Sequence, residues 1–182
     1  VGVDNIDLET TKARGIWVTN VPNANKHAVA DFTFALLLTL ARQIPQANAQ
    51  TKAGQWPRIF ATDAYGKTVG ICGLGNIGKQ VALRAKGFAM RVLAFDFYQD
   101  TAFAEAHGIT FVSKDELLAQ SDFITLHMPL TDTTRDFIAA AEFKQMKAGA
   151  YLINASRGGV VNENDLFEAL SAKTIAGAAS DV

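Results

Sequence analysis

From residue 67 onward the apolar positions come in short unbroken runs, separated by stretches in which apolar and polar residues alternate with a longer period. The runs are 69–72, 92–95, 123–126, 151–153 and 175–179. Runs this short, bounded by polar and turn-forming residues, are the pattern of strands covered on both faces. After the first run, Ile77, Val81, Ala85 and Phe88 recur at helical spacing, and further helical stretches are read at 101–106 and 113–119. Ser113 and Glu116 make a capping box ahead of Leu117 and Leu118, and Asn162 with Asp165 caps a helix that carries Leu166, Ala169 and Leu170. Strands alternating with helices predict parallel βαβ units, hence an α/β fold built on a doubly wound parallel sheet of the Rossmann type.

The first 66 residues have a different texture. Residues 1–22 contain one strand candidate, 16–19, closed by Asn20-Val21-Pro22. Residues 25–50 read as a long helix, with Ala28, Phe32, Ala35, Leu36, Leu40 and Ile44 at three- and four-residue spacing and Pro45 placed to kink or end it. Residues 53–66, with Gly54, Pro57 and Gly66, read as a connection. No internal repeat and no low-complexity tract interrupts the chain.

The run 69–72 leads straight into Gly73-Leu74-Gly75-Asn76-Ile77-Gly78, a GxGxxG pattern after a strand and opening a helix. Gly73 permits the tight turn, Gly75 leaves the backbone bare for a pyrophosphate, and Gly78 lets helix and strand pack closely. Free N–H groups near Asn76 and Ile77, with the helix dipole behind them, attract phosphate. The second strand ends at Asp96, 18 residues after Gly78. A carboxylate there accepts both hydroxyls of an adenosine ribose and repels a 2′-phosphate; Phe97 and Tyr98 follow with no Arg or Lys, so the expected cofactor is NAD rather than NADP. Glycines can serve packing alone, and an Asp can simply end a strand. The ordered set of strand, glycines, helix, second strand and acid is what favours cofactor binding. Methyltransferases, the nearest confusion, turn on GxGxG without the third glycine at this spacing.

Composition narrows the partners. Seventeen Lys and Arg against eighteen Asp and Glu give a net charge of −1, which supplies no basic field for nucleic acid or for an acidic membrane surface. The longest apolar run, 32–41, is broken by Thr33 and Thr39 and is shorter than the roughly 20 residues that a membrane span needs. A hydrophobic content of 49% excludes a mainly disordered chain. The single cysteine, Cys72, can form neither an internal disulfide nor a CxxC site, and HExxH is absent, so no metal is expected and a reducing, cytoplasmic setting is. Asn154-Ala155-Ser156 fits a glycosylation sequon, but its asparagine ends a predicted strand and no secretory signal is present. The chain opens on Val1 rather than methionine and closes at Val182 inside a predicted strand, so both ends read as cut from a longer protein.

Several segments carry a resemblance: Val1-Gly2-Val3-Asp4-Asn5-Ile6-Asp7, Gly15-Ile16-Trp17-Val18-Thr19-Asn20-Val21-Pro22, Ala41-Arg42-Gln43-Ile44-Pro45-Gln46-Ala47, the stretch from Gly66 through Gly75, His127-Met128-Pro129-Leu130-Thr131, and Asn154-Ala155-Ser156-Arg157-Gly158-Gly159. In this order and spacing, over essentially all 182 residues, the chain resembles the NAD-dependent D-isomer-specific 2-hydroxyacid dehydrogenases, with wording closest to their phosphoglycerate-dehydrogenase-like members. The resemblance implies an oxidoreductase that interconverts 2-keto acids and D-2-hydroxy acids. It implies two domains, with residues 1–22 the remnant of a substrate domain and 23–182 the NAD-binding domain, and a homodimer built through the helix around 25–50.

The resemblance also assigns residues. Arg157 follows the run 151–153 at what would be the carboxyl edge of the sheet; it is the catalytic candidate, holding the substrate carboxylate with a two-pronged guanidinium and polarising the keto oxygen. Val1 and Gly2 match a loop whose backbone N–H groups help bind that carboxylate. Met128, Ala155 and Ser156 match positions on the nicotinamide side of the cofactor, and Asp181 matches an acid near the carboxamide, while Ser180 stands where the family often has Leu. The family's proton-transferring His and its supporting Glu have no match among the 182 residues. His27, His107 and His127 are read as a structural residue near a helix start, a solvated residue in a turn, and part of the cofactor edge, respectively. The isolated chain is therefore expected to bind NAD without turning over substrate. A second reading from the same family is a corepressor-type module that senses NAD(H), in which dimerisation matters more than turnover; a structural protein with a decayed site is disfavoured because the glycines, Asp96 and Arg157 are all present.

Overall fold

The structure, a computed structural model, describes residues 2, 3 and 5–182. Six strands pair in parallel: β1 (Thr68–Cys72), β2 (Arg91–Phe95), β3 (Ile109–Phe111), β4 (Phe123–Leu126), β5 (Tyr151–Asn154) and β6 (Gly177–Ser180). Their order across the sheet is β3-β2-β1-β4-β5-β6. Every residue of β4 and β5 is buried, as is all of β1 beyond its first residue. That is why these strands read as unbroken apolar runs instead of alternating ones. Chain order reverses between β1 and β4, so the crossover helices fall on both faces of the sheet.

On one face lie α2 (Lys26–Ala41) and α4 (Asn76–Gly87), whose Ala30, Phe34, Leu37, Val81 and Ala85 pack against Val69, Ile71, Phe123 and Ile153. The two helices are also joined at their surfaces. Phe34 stacks on Phe88 with ring centroids 5.3 Å apart, and the Arg84 Nε donates to Asp31 Oδ1 at 2.6 Å. The opposite face carries α6 (Lys114–Gln120), α7 (Ala140–Gln145) and α8 (Glu163–Ser171), which bring Leu117, Leu118, Phe143 and Ala169 onto Leu93, Ile124, Leu126 and Leu152. α5 (Thr101–His107) packs beside β3. Side-chain caps start several of these helices: Asp100 accepts from Phe103 N–H, Ser113 from Glu116 N–H and Asn162 from Asp165 N–H.

The structure departs from the sequence reading in several places. Residues 16–19 form no strand; they run as exposed, irregular chain, with Trp17 93% accessible, and among the described residues no strand lies beside them to take their backbone hydrogen bonds. A short helix, α1 (Leu8–Ala13), precedes them, capped by Asp7. The helix expected over 25–50 is two helices, α2 and α3 (Ile44–Lys52), meeting at 62°. The break falls at Gln43, which is left-handed at φ 51, and Pro45 sits inside the first turn of α3, where its missing N–H costs nothing. At 113–119 only half of the capping box forms, since the Glu116 carboxylate takes Gln120 instead of reaching back to Ser113. The last strand starts at Gly177 rather than 175, and β3 and α7 are additions. No single helix among the described residues is long and apolar enough to cross a membrane.

Gly70 marks a close contact between α6 and the sheet. A methyl group built there would overlap the side chains of Ser121 and Leu117, both fully buried beneath α6. Gly70→Ala is therefore expected to destabilise the domain by about 1–3 kcal/mol through overpacking, read as a lower urea midpoint with an unchanged slope.

Candidate functional site

Strand register fixes where the loops open. Phe95, Cys72, Leu126, Asn154 and Ser180 stand side by side across five neighbouring strands. The next residue of each is Asp96, Gly73, His127, Ala155 and Asp181, so the segments singled out in the sequence leave the sheet along one edge. That carboxyl edge, on either side of the reversal between β1 and β4, is where ligands bind in sheets of this kind.

The glycine turn occupies the middle of the edge. Gly73 has φ +95, a region closed to most side chains, and a Cβ there would also press on the His127 backbone and on Met128. Its N–H donates to the Phe95 carbonyl at 2.8 Å. A Cβ at Gly78 would overlap the Gly73 carbonyl oxygen, so α4 approaches β1 as closely as it does only because position 78 has no side chain. Gly75 is different: a Cβ there meets nothing within 4 Å and would project into open space. Gly75 is also the N-cap of α4, with no side-chain cap and no acid in the first turn. The helix thus presents its first N–H groups, from Asn76 and Ile77 onward, uncapped and positively polarised at an exposed bend.

Asp96 sits against this turn. Its Oδ2 accepts the Leu74 N–H at 2.7 Å and its Oδ1 the Tyr98 N–H at 3.1 Å. Each oxygen keeps a lone pair for a further donor, so the carboxylate can brace the glycine turn and still receive ribose hydroxyls. The bracing bond to Leu74 is not visible in the sequence, which shows only an acid at a strand end. A bare, uncapped helix N-terminus, an open glycine and an adjacent carboxylate together fit a dinucleotide diphosphate with its adenosine ribose. Met128 is 4% exposed and packs under Gly73, so its side chain supports the turn from below.

The loop after β5 is built from side chains. Ala155 and Ser156 are buried and Arg157 is half-buried. The Asn154 Oδ1 accepts both the Ser156 N–H at 3.1 Å and the Ser156 hydroxyl at 2.7 Å, and its Nδ2 donates to the Arg157 carbonyl at 2.9 Å. The Ser156 hydroxyl is thus turned inward to Asn154. Arg157 Nη1 donates to the Ser156 carbonyl at 2.7 Å. Asp181 is exposed, one residue beyond β6, and its N–H donates to the Asn154 carbonyl at 3.0 Å. Gly2 is exposed, and Val1 lies outside the described residues. Asn154 was not among the residues that the sequence marked as functional, because what it does depends on the amide folding back over its own loop.

Two other groups at the edge are chemically quiet. Burial pushes the Cys72 thiol up to about 12, so it stays protonated and inert as a nucleophile. His127 is lowered from 6.5 to about 4 by burial, and neither ring nitrogen meets a hydrogen-bond partner within the described chain. His107 stacks on Phe103 with centroids 4.3 Å apart and is half-buried rather than solvated, while His27 is exposed near the start of α2. Among the described residues no group of His, Cys, Asp and Glu could hold a metal ion.

Residues 34–182 match the family model described as the NAD binding domain of the D-isomer specific 2-hydroxyacid dehydrogenases. D-3-phosphoglycerate dehydrogenase of Methanocaldococcus jannaschii is 45% identical over 185 residues, which cover 100% of this chain and 35% of that protein. Glyoxylate reductase of Korarchaeum cryptofilum is 43% identical over 188 residues, covering 100% of this chain and 57% of that protein. Among solved structures, apo D-lactate dehydrogenase from Escherichia coli superposes with a TM-score of 0.93 at 36% identity, over 100% of this chain and 58% of that one. D-lactate dehydrogenase from Aquifex aeolicus, complexed with NAD and lactic acid, gives 0.91 at 36% identity over 100% and 55%. The chain spans between about a third and three fifths of the length of these proteins.

The glycine geometry separates binding from folding. Gly75→Val adds a side chain only in open space, so it should leave the urea midpoint unchanged and abolish NADH binding in a fluorescence titration. Gly78→Ala should lower both, because it pushes α4 off β1. Acid should weaken the fold through His127. Between pH 6.5 and about 4 the unfolded chain binds a proton that the folded one refuses. Stability from this group is therefore complete above 6.5 and is lost as pH falls through the window, by about 3 kcal/mol in all. Urea midpoints measured from pH 7 to 4 should fall less steeply for His127→Leu than for the parent.

Proposed function

We propose, for a chain that belongs to the D-isomer specific 2-hydroxyacid dehydrogenases and carries their NAD-binding domain, that the whole protein interconverts 2-keto acids and D-2-hydroxy acids with NAD. The observation that carries this reading is the shared edge: the bare glycine turn with Asp96 on one side of the reversal, and the Arg157 loop next to it on the other. Gly73, Gly75, Asn76, Ile77, Gly78 and Asp96 hold the dinucleotide, with Met128, Ala155, Ser156 and Asp181 toward its nicotinamide end. The bound cofactor supplies or takes the hydride. Arg157 grips the carboxylate of the acid with two parallel hydrogen bonds and places positive charge where the keto oxygen becomes negative during reduction. Val1 and Gly2 add backbone N–H groups to the same carboxylate. The proton for that oxygen comes from a His, supported by a Glu, outside these 182 residues. In favour of this division, His127 is lowered to about 4, His107 ends α5 against the Phe103 ring and His27 lies in the first turn of α2.

The finer parts of the reading belong here as well. Residues 1–22 are assigned to the substrate domain and 23–182 to the NAD-binding domain. The substrate is phosphoglycerate-like, a reading supported by the 45% identity to an archaeal D-3-phosphoglycerate dehydrogenase. The protein is a cytoplasmic homodimer joined through the region 25–50, where Phe32 and Ile44 are exposed, and it needs neither nucleic acid nor membrane. Full-length protein should oxidise NADH in the presence of a member of the series glyoxylate, pyruvate, hydroxypyruvate and 3-phosphohydroxypyruvate. The 182-residue chain alone should bind NADH and reduce none of them. Arg157→Lys keeps the charge but loses the fork, and should cost on the order of 10²-fold in kcat/KM of the full-length protein. Near-parental turnover by that variant would remove Arg157 from the chemistry.

A further inference from the structure

We infer that Asn154 is the positioning residue for Arg157, an assignment that rests on the catalytic role proposed above for that arginine. Asn154 is the last residue of β5 and is 6% exposed. A position buried on a central strand normally carries an apolar side chain, as Tyr151, Leu152 and Ile153 do before it. Here the side chain is an amide, and its three hydrogen bonds go to Ser156 and Arg157 of the loop that follows. Oδ1 takes the N–H and the hydroxyl of Ser156; Nδ2 holds the carbonyl of Arg157. None reaches a helix or another strand, so the amide's hydrogen bonds serve its own loop. It closes the turn that carries Arg157 out of the sheet.

Only an asparagine has the chemistry for this closure. The turn needs an acceptor that can receive two donors and, one bond away in the same plane, a donor aimed at a carbonyl. Aspartate lacks the donor, serine lacks the reach, and glutamine places the amide one methylene too far. The loop has little stiffness of its own, because Gly158 and Gly159 follow Arg157 and Gly159 has φ +57. The guanidinium itself leans on the Ser156 carbonyl, so a shift of Ser156 moves the charged end directly. The same asparagine holds the N–H of Asp181 with its backbone carbonyl, so it also sets the spacing between the two charged side chains at this end of the edge. A displacement near 1 Å of an orienting group is enough to lose roughly 10²-fold in rate.

The test is a double-mutant cycle in the full-length enzyme, with the 2-keto acid it reduces fastest. Asn154→Ala should lower kcat/KM by roughly 10²-fold while the NADH dissociation constant, read by fluorescence, stays within about twofold. Asn154→Asp, the same size but without the donor, should lose less than Asn154→Ala and in the same parameter. The variant carrying both Asn154→Ala and Arg157→Gln should be no slower than Arg157→Gln alone, because an arginine already removed cannot be mispositioned. Losses that multiply in the double variant, or an NADH affinity that falls in step with kcat/KM, would overturn the assignment. Should Asn154→Ala fail to fold, the same cycle with Asn154→Asp decides the matter. Parental turnover by Arg157→Gln would overturn the catalytic reading of Arg157 itself, and this inference with it.

Discussion

A backbone carbonyl decides how near helix α4 can come to strand β1. Gly78 lies so close to the Gly73 carbonyl oxygen that one methyl group would overlap it. With that contact made, the helix starts directly at the end of the strand and its first N–H groups face the bend. No side chain caps them and no acid shares the first turn. Other helices of the domain solve the same problem with a cap, through Asp100, Ser113 or Asn162. Leaving α4 uncapped forgoes about 1 kcal/mol of the stability a cap would give, and the donors it leaves open are those an anion can take. Asp96 and the Phe95 carbonyl then hold the turn to β2, so the bend is set before any ligand arrives.

The two sides of the edge work by different means. From β2 to β1, recognition rests on backbone N–H groups and one carboxylate, which suits a diphosphate and a sugar common to every NAD enzyme. Beyond β5 the contacts come from side chains: the Asn154 amide holds the Ser156 hydroxyl, and the Arg157 guanidinium leans on the Ser156 carbonyl. Backbone recognition tolerates changes in side chains as long as the glycines stay. The β5 side is less tolerant, because the Asn154 amide, the Ser156 hydroxyl and the Arg157 guanidinium each make a bond that another side chain would not. The glycine turn and the β5 loop are therefore held by separate means within one domain.

What the sequence made legible was whatever is local. The GxGxxG trio, the acid after the second strand, the caps at Ser113 and Asn162 and the first four apolar runs depend mostly on near neighbours and are found where the pattern put them, whereas the last run begins two residues late and the Ser113 box closes only by half. What it hid was decided by distant partners. Residues 16–19 have the composition of a strand, but a strand exists only beside another, and no such neighbour lies there. β3 is three residues long and joins the sheet because β2 offers an edge, which no run of apolar residues announced. The break in the long helix lies at Gln43 because the chain turns left-handed there, whereas Pro45, the visible signal, only begins the next helix. Asn154 reads in the sequence as an ordinary strand end, and its work appears only once the amide is seen folded over its own loop.

This division also fits a chain whose family is plain while no single acid is singled out. Its relatives bear the names of phosphoglycerate, glyoxylate and lactate enzymes at comparable identity. On the function proposed above, the guanidinium, the glycine N–H groups and the carboxylate meet a carboxylate, a keto oxygen and a dinucleotide, and those are the parts all such substrates share. A methyl, a hydroxymethyl and a phosphate differ on the far side of the reacting carbon. Telling them apart requires contacts to that side chain, since a site that meets only the common atoms binds all of them alike. On the function proposed above, selectivity falls to contacts with the acid's own side chain, which the groups described here do not supply.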